Sequence, residues 1–201
     1  MFYIGLDLGQ RSDFTAIAAA ERVERARPWL PPVFSGLSVR HLERVPLGTP
    51  YPRVVERVAQ IAGHPELAGN CCLVVDATGV GLPVVDLLRA AEIGCEVIPV
   101  IITGGERESR QGSFWHVPKR DLITGVQVLL EKEQLRIARR LPETGPLVRE
   151  LMDVRTEIRG AGRARWGAEG CGQHDDLVMA VALACWRGRR AGAGFVRGRL
   201  F

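Results

Sequence analysis

Carboxylates stand in this sequence where apolar segments break off. Asp7 sits within the run Tyr3-Ile4-Gly5-Leu6-Asp7-Leu8, Asp76 ends Cys71-Cys72-Leu73-Val74-Val75, and Asp175-Asp176 precede the small, apolar stretch Leu177 to Trp186. An ionised carboxylate at the edge of a buried segment is costly unless a partner neutralises it. No Lys or Arg lies within four residues of Asp76, and only Arg11 lies near Asp7. A divalent cation shared among the three would remove that cost, and hard cations with exchangeable positions take oxygen ligands. Each position also has a plain structural reading. Asp7 suits an edge residue turned to solvent, Asp76 a ribose-binding group or a cap for the helix after it, and Asp175 or Asp176 an ordinary N-cap. A cluster of all three is harder to explain by structure alone.

The elements that must position these groups follow from periodicity. Residues 3–8 read as a buried strand, a turn follows over 9–13, and Phe14 to Ala20 is close enough to pair antiparallel with it. Residues 21–35, with Pro28, Pro31 and Pro32, read as a loop before a third strand from Gly36 to Leu42. Tyr51 to Ala62 has Val54, Val55, Val58 and Ile61 at helical spacing, with Pro52 in the first turn and Gly63 just past the end. Cys71 to Asp76 is a fully buried strand, Ala77 to Gly81 turns into a helix opened by Pro83, and Glu96 to Ile102 is a fifth strand. The expected fold is α/β: a five-stranded mixed sheet, three strands antiparallel and two reached through helices, flanked by helices. Thr103 to Gly112 reads as a flexible loop, about Arg120 to Glu133 and Pro146 to Val154 as helices, and the glycine-rich residues 159–173 as a mobile hairpin or loop. If strands one and four are neighbours, Asp7 and Asp76 meet side by side, and the last helix delivers the third carboxylate. Asp176 is favoured over Asp175, because it precedes Ala180 and Leu183 by four and seven residues on the sheet-facing stripe.

Composition sets outer bounds. At 201 residues, 46% hydrophobic and 25% charged, the chain fits one globular domain, expected over residues 1–186. No apolar run approaches the roughly 20 residues needed to cross a bilayer, and no leader is visible at the start, so a cytoplasmic protein without membrane contact is expected. Five cysteines without C-x-x-C spacing argue against zinc or a disulfide framework. The net charge is +4, and with lysine only at 119 and 132 the basic residues are almost all arginine, which grips phosphate bidentately. Arg187, Arg189, Arg190, Arg197 and Arg199 follow Trp186 with no acidic residue, so residues 187–201 are expected to form a basic flexible tail suited to a polyanion.

Four segments together, Gly5-Leu6-Asp7-Leu8-Gly9, Ser12-Asp13-Phe14-Thr15-Ala16, Val74-Val75-Asp76-Ala77-Thr78-Gly79-Val80-Gly81 and His174-Asp175-Asp176-Leu177-Val178-Met179-Ala180, resemble the nuclease domain of viral large terminase subunits, a branch of the RNase H-like superfamily. Val117-Pro118-Lys119-Arg120-Asp121 before a helix is similar to a further segment of these domains. The resemblance spans residues 3–186. It implies a divalent-metal-dependent endonuclease that cuts double-stranded DNA during genome packaging in the host cytoplasm. Asp7, Asp76 and either Asp176 or Asp175 would be catalytic metal ligands, with His174 as a further ligand or supporting donor. It also implies two Mg²⁺ or Mn²⁺ ions, roughly 3.5–4 Å apart, activating water and stabilising the leaving 3′ oxygen. Lys119, Arg159, Arg163 and Arg165 are candidate DNA-binding residues. The terminase ATPase motor, small subunit and portal would be partners. The chain lacks G-x-x-x-x-G-K-[S/T], so a motor would have to act in trans.

Three other readings are open. Gly79-Val80-Gly81 after a strand hints at dinucleotide binding, but Val84 stands where the third glycine belongs. A non-catalytic RNase H-like module would bind nucleic acid without cutting it. A Holliday-junction resolvase or related recombination nuclease would prefer four-way junctions to linear duplex.

Overall fold

The computed structural model describes residues 1–9, 13–27, 30–79, 81–160 and 175–190. Its elements are β1 (Phe2–Asp7), β2 (Thr15–Arg27), β3 (Leu30–Val45), α1 (Tyr51–Ala62), β4 (Cys71–Asp76), α2 (Gly81–Ala90), β5 (Glu96–Thr103), β6 (Ser109–Gln111), β7 (Phe114–Pro118), α3 (Lys119–Glu131), β8 (Leu135–Ile137), α4 (Thr144–Gly160) and α5 (Asp176–Gly188). They build one mixed sheet in the order β6-β7-β5-β4-β1-β2-β3-β8. The central β1 pairs antiparallel with β2 and parallel with β4, and β5 lies parallel beyond β4.

The five expected strands form the middle of this sheet, but the sheet has eight. Of the three further strands, β6 and β8 have three residues each, too few to show a period in sequence, and β7 (Phe114–Pro118) has five. β6 and β7 make an antiparallel hairpin within and after the stretch expected to be loop, and β8 adds a parallel edge beside β3. Residues 21–27 and 30–35, expected as loop, instead extend β2 and β3 into a long hairpin whose register shifts between Ala19/Ala20, Val23/Glu24 and Arg25/Arg27. Prolines are tolerated on strands that leave the sheet body in this way. At the other end, α5 runs to Gly188, so the expected tail boundary at residue 187 falls inside a helix. Arg190 there pairs with Glu108 at 2.5 Å. Residues 191–201 lie outside the described residues.

Strand alternation separates two cores. Phe2, Ile4, Leu6, Leu73 and Val75 face α1 and α2, whereas Tyr3, Cys72 and Val74 face α5. Cys71 and Cys72 accordingly fall on opposite faces. The α5 face is cut for close approach. Ala16, Ala18 and Ala20 of β2 lie there, and a Cβ on Gly5 would stand 1.9 Å from the Ala180 carbonyl oxygen. Only glycine lets α5 lie so near β1, and every residue of that helix from Asp176 to Trp186 is buried. Among the described residues no helix is long and apolar enough to cross a membrane.

Candidate functional site

Asp7 follows Tyr3 and Gly5 at two-residue steps, and Asp76 follows Cys72 and Val74 in the same way, so both point to the face that α5 covers. The pairing Leu6↔Val75 between parallel β1 and β4 sets the two carboxylates side by side at the strand ends. Helix α5 lies across the same strands, and its first residue is Asp176, only 6% exposed. Sheet register and helix approach thus bring three acids from distant parts of the chain to one place.

Their mutual field is visible in their proton affinities. Burial pushes the Asp7 carboxyl well above the usual range, and the charges of Asp76, Asp176 and Asp175 push it further, against Lys119. Asp76 is raised by burial too, opposed by hydrogen bonds from Thr78 and Asp7 and by the charge of Lys119. Like charges gathered in this way resist ionising together and titrate as a coupled set. One Asp76 oxygen accepts from the Thr78 amide at 2.8 Å, a bond within the turn that precedes α2 (Gly81–Ala90) and not a cap on that helix. The Thr78 hydroxyl in turn accepts from the Ile102 amide at 2.8 Å, fixing the turn to β5.

Asp175 and Asp176 part company. Asp175 occupies the N-cap position of α5 but makes no side-chain cap bond; its carboxylate meets the Lys119 ammonium at 2.6 Å. Lys119 opens α3 directly after β7, and so places a cation among the acids. Among the described residues, no group of three or more His, Cys, Asp or Glu side chains is gathered closely enough to hold an ion as they stand. The three aspartates share a field rather than a closed cage. His174, Arg163 and Arg165 lie outside the described residues. Arg159, expected in a loop, belongs to the last turn of α4.

One acid at this end of the fold escapes a reading of the sequence alone. Glu150 of α4 is 6% exposed, accepts from the Val178 amide at 3.0 Å and is bound by the Arg44 guanidinium. Burial pushes its carboxyl up to about 7, helped by Asp176 and Asp175 and opposed by the Val178 amide and Arg44. A signal was present. Glu150 falls three residues after Leu147 and four before Val154, inside the apolar stripe of its helix.

A scan against protein-family models and a search of the curated proteins each found no match. Solved structures do resemble the chain. The large terminase nuclease of thermophilic phage G20c has 21% identity and a TM-score of 0.56, over 92% of this chain and 80% of that one. The inhibitor-bound, Mn-soaked terminase nuclease domain of human cytomegalovirus has 13% identity and a TM-score of 0.54, over 95% and 85%. The nuclease domain of the large terminase of bacteriophage SPP1, with bound Mn, has 13% identity and a TM-score of 0.52, over 92% and 85%. The chain therefore has the RNase H-like fold of the terminase nuclease domains, a mixed sheet with helices on both faces.

Proposed function

We propose that this chain is a divalent-metal-dependent endonuclease that cuts double-stranded DNA during viral genome packaging. The observation that carries the reading is the meeting of Asp7, Asp76 and Asp176 on the α5 face of the sheet, in a fold shared with nucleases of which one holds Mn. The donor chemistry fits the metal. All three groups are carboxylates, whose oxygens suit Mg²⁺ or Mn²⁺ rather than zinc, and a cation among them would relieve the repulsion that raises the Asp7 carboxyl.

In this reading Asp7, Asp76 and Asp176 hold two Mg²⁺ or Mn²⁺ ions, with His174, next in sequence to the pair, as a further donor. Bound ions of this kind supply an activated water and charge stabilisation for phosphodiester hydrolysis. The chain's own residues do the rest. Burial raises the proton affinity of Asp7 and Asp76, and repulsion raises that of Asp7 further, so a cation held by them would compete with protons and bind better as pH rises. Asp175 aims the Lys119 ammonium, which offers a point charge to a backbone phosphate. Arg159 at the end of α4, with Arg163 and Arg165 beyond it, grips phosphates without sequence preference. The motor, small subunit and portal of a packaging machine are the partners this role requires, and the host cytoplasm is its setting.

The test is plasmid cleavage with and without Mg²⁺ or Mn²⁺. Metal-dependent nicking and linearisation of duplex DNA are expected, with linear duplex cut as readily as a four-way junction. Binding without cutting under every metal condition would leave only a non-catalytic module. A strong preference for the junction would favour a recombination nuclease instead.

A further inference from the structure

Helix α5 begins in an unusual way. The first-turn amides of a helix lack intrahelical partners, and an Asp at the N-cap ordinarily accepts from one two or three residues on. Asp175 stands at that position but is turned to Lys119, and it makes no cap bond. The third helical amide, that of Val178, donates instead to Glu150 of α4 at 3.0 Å. A carboxylate from a separate helix has taken the place of the local cap.

Glu150 is itself anchored. Arg44 of β3 binds its other oxygen, and the Arg44 guanidinium lies 5.2 Å over the Phe14 ring. The sheet register explains why an arginine stands there. Asp7 pairs with Ala16, and Ala16 with Arg44, so the two charged residues occupy one row, two strands apart. Two strand spacings, about 10 Å, separate their backbones, and the Arg44 guanidinium is given to Glu150. Leu147, Leu151 and Val154 pack α4 against the α5 core around this link. The chain β3–Arg44–Glu150–Val178 thus ties the first turn of α5, which carries Asp176, to the sheet that carries Asp7.

We propose that Glu150, braced by Arg44, is the positioning residue for Asp176: it replaces the N-cap of α5 and sets that carboxylate against Asp7 and Asp76. The proposal rests on the metal-centre reading above. Glu150 acts through the backbone of α5 and does not itself bind the ion. Loss of a group that orients a metal ligand typically weakens metal affinity roughly ten- to a hundredfold.

The experiment measures Mn²⁺ binding to the full chain by the loss of the free-ion electron paramagnetic resonance signal, well below the melting temperature of each variant. Glu150→Asp keeps the charge for Arg44 but draws the carboxylate back by one methylene from the Val178 amide. Glu150→Ala removes both bonds. Val58→Ala, in the opposite core, is the control for stability loss alone. About tenfold weaker Mn²⁺ binding is expected for Glu150→Asp, more for Glu150→Ala, with Val58→Ala at the wild-type value. Amide hydrogen exchange at Val178 should quicken in both Glu150 variants and not in the control. Mn²⁺ binding by Glu150→Asp within twofold of wild type would overturn the proposal alone, and so would equal weakening in Val58→Ala. If Glu150→Ala does not fold, Glu150→Asp decides. A wild-type chain that binds no Mn²⁺ would overturn the metal-centre reading, and this proposal with it.

Discussion

Glu43 and Asp7 sit at the same end of the sheet on opposite faces, and their surroundings answer their charge in opposite ways. Glu43 of β3 meets Arg57 of α1 through Nη2 at 2.8 Å and Nε at 2.9 Å, and His41 Nε2 at 3.0 Å. Burial pushes its carboxyl up, but the hydrogen bonds and charge of Arg57, with His41, more than reverse this and hold it below the usual range. Asp7 meets Asp76, Asp176 and Asp175, with Lys119 the opposing charge, and is pushed well up. One cluster is complete as it stands. The other gathers acids that repel one another, a repulsion that the proposed metal would relieve.

The sharpest way to break this contrast is to neutralise one acid on each face. Asp7→Asn or Asp76→Asn should lower plasmid cleavage by at least roughly a thousandfold, beyond the ten- to hundredfold cost of losing a supporting group. Because each removes repulsion, metal-free thermal stability should hold or rise. Glu43→Gln should do the reverse: cleavage unchanged, and stability lowered by about 0–1 kcal/mol, as for a partly exposed ion pair. Melting curves beside cleavage rates check both. Retained metal-dependent nicking in both aspartate variants would remove the site assignment.

Metal addition tests the same asymmetry without changing the sequence. A ligand at a hundred times its dissociation constant adds about 2.7 kcal/mol of stability, equal to roughly 5–10 °C in a chain of this size. Mn²⁺ should raise the melting temperature of wild type and of Glu43→Gln by that order, and chelator should reverse it. Asp7→Asn should show little or none. An equal shift in all three would place the ion elsewhere.

The pH dependence of metal-free stability should also split by face. The carboxyls of Asp7, Asp76 and Glu150 are raised in the folded state, Glu150 to about 7. The folded chain therefore holds more protons than the unfolded one, and stability falls as pH rises from the ordinary carboxylate range towards 7. Glu43 is lowered, so its contribution is present above the ordinary glutamate range and is lost as pH falls through its folded value. Melting temperatures from pH 5 to 8 should thus decline in wild type and decline less in Asp7→Asn, where Glu150 still titrates.

How much of this could be read from sequence depends on how local each determinant is. The strands carrying Asp7 and Asp76 announce themselves as apolar runs, and the helix carrying Asp176 as a buried stretch with an acidic start. Their meeting was inferable only on the condition that strands one and four pair, which is a property of the whole sheet. Glu150 and Arg44 lie far apart in sequence and touch only after α4 packs on α5, so the link between them has no local trace. Asp175 and Asp176 are close to interchangeable in sequence. Their division into a lysine partner and a buried acid depends on where α3 begins. The short strands β6 and β8, of three residues each, carry too few positions for alternation to show.

Lys119 offers the finest test, because it is the cation that faces the crowded acids much as Arg57 faces Glu43, yet does not complete the cluster. It is about one-third exposed and bound to Asp175, so its charge is shared between holding that residue and meeting a phosphate. Lys119→Gln should leave the fold intact and lower metal-free stability slightly, since Asp7 and Asp76 lose an opposing charge. If the ammonium also meets DNA, the slope of log affinity against log salt should flatten by about one unit, the signature of one phosphate that is no longer neutralised. Arg57→Gln, on the other face, should leave that slope unchanged. A salt titration of duplex binding in the absence of metal separates the two roles. An unchanged slope with lowered stability would confine Lys119 to neutralising the acids.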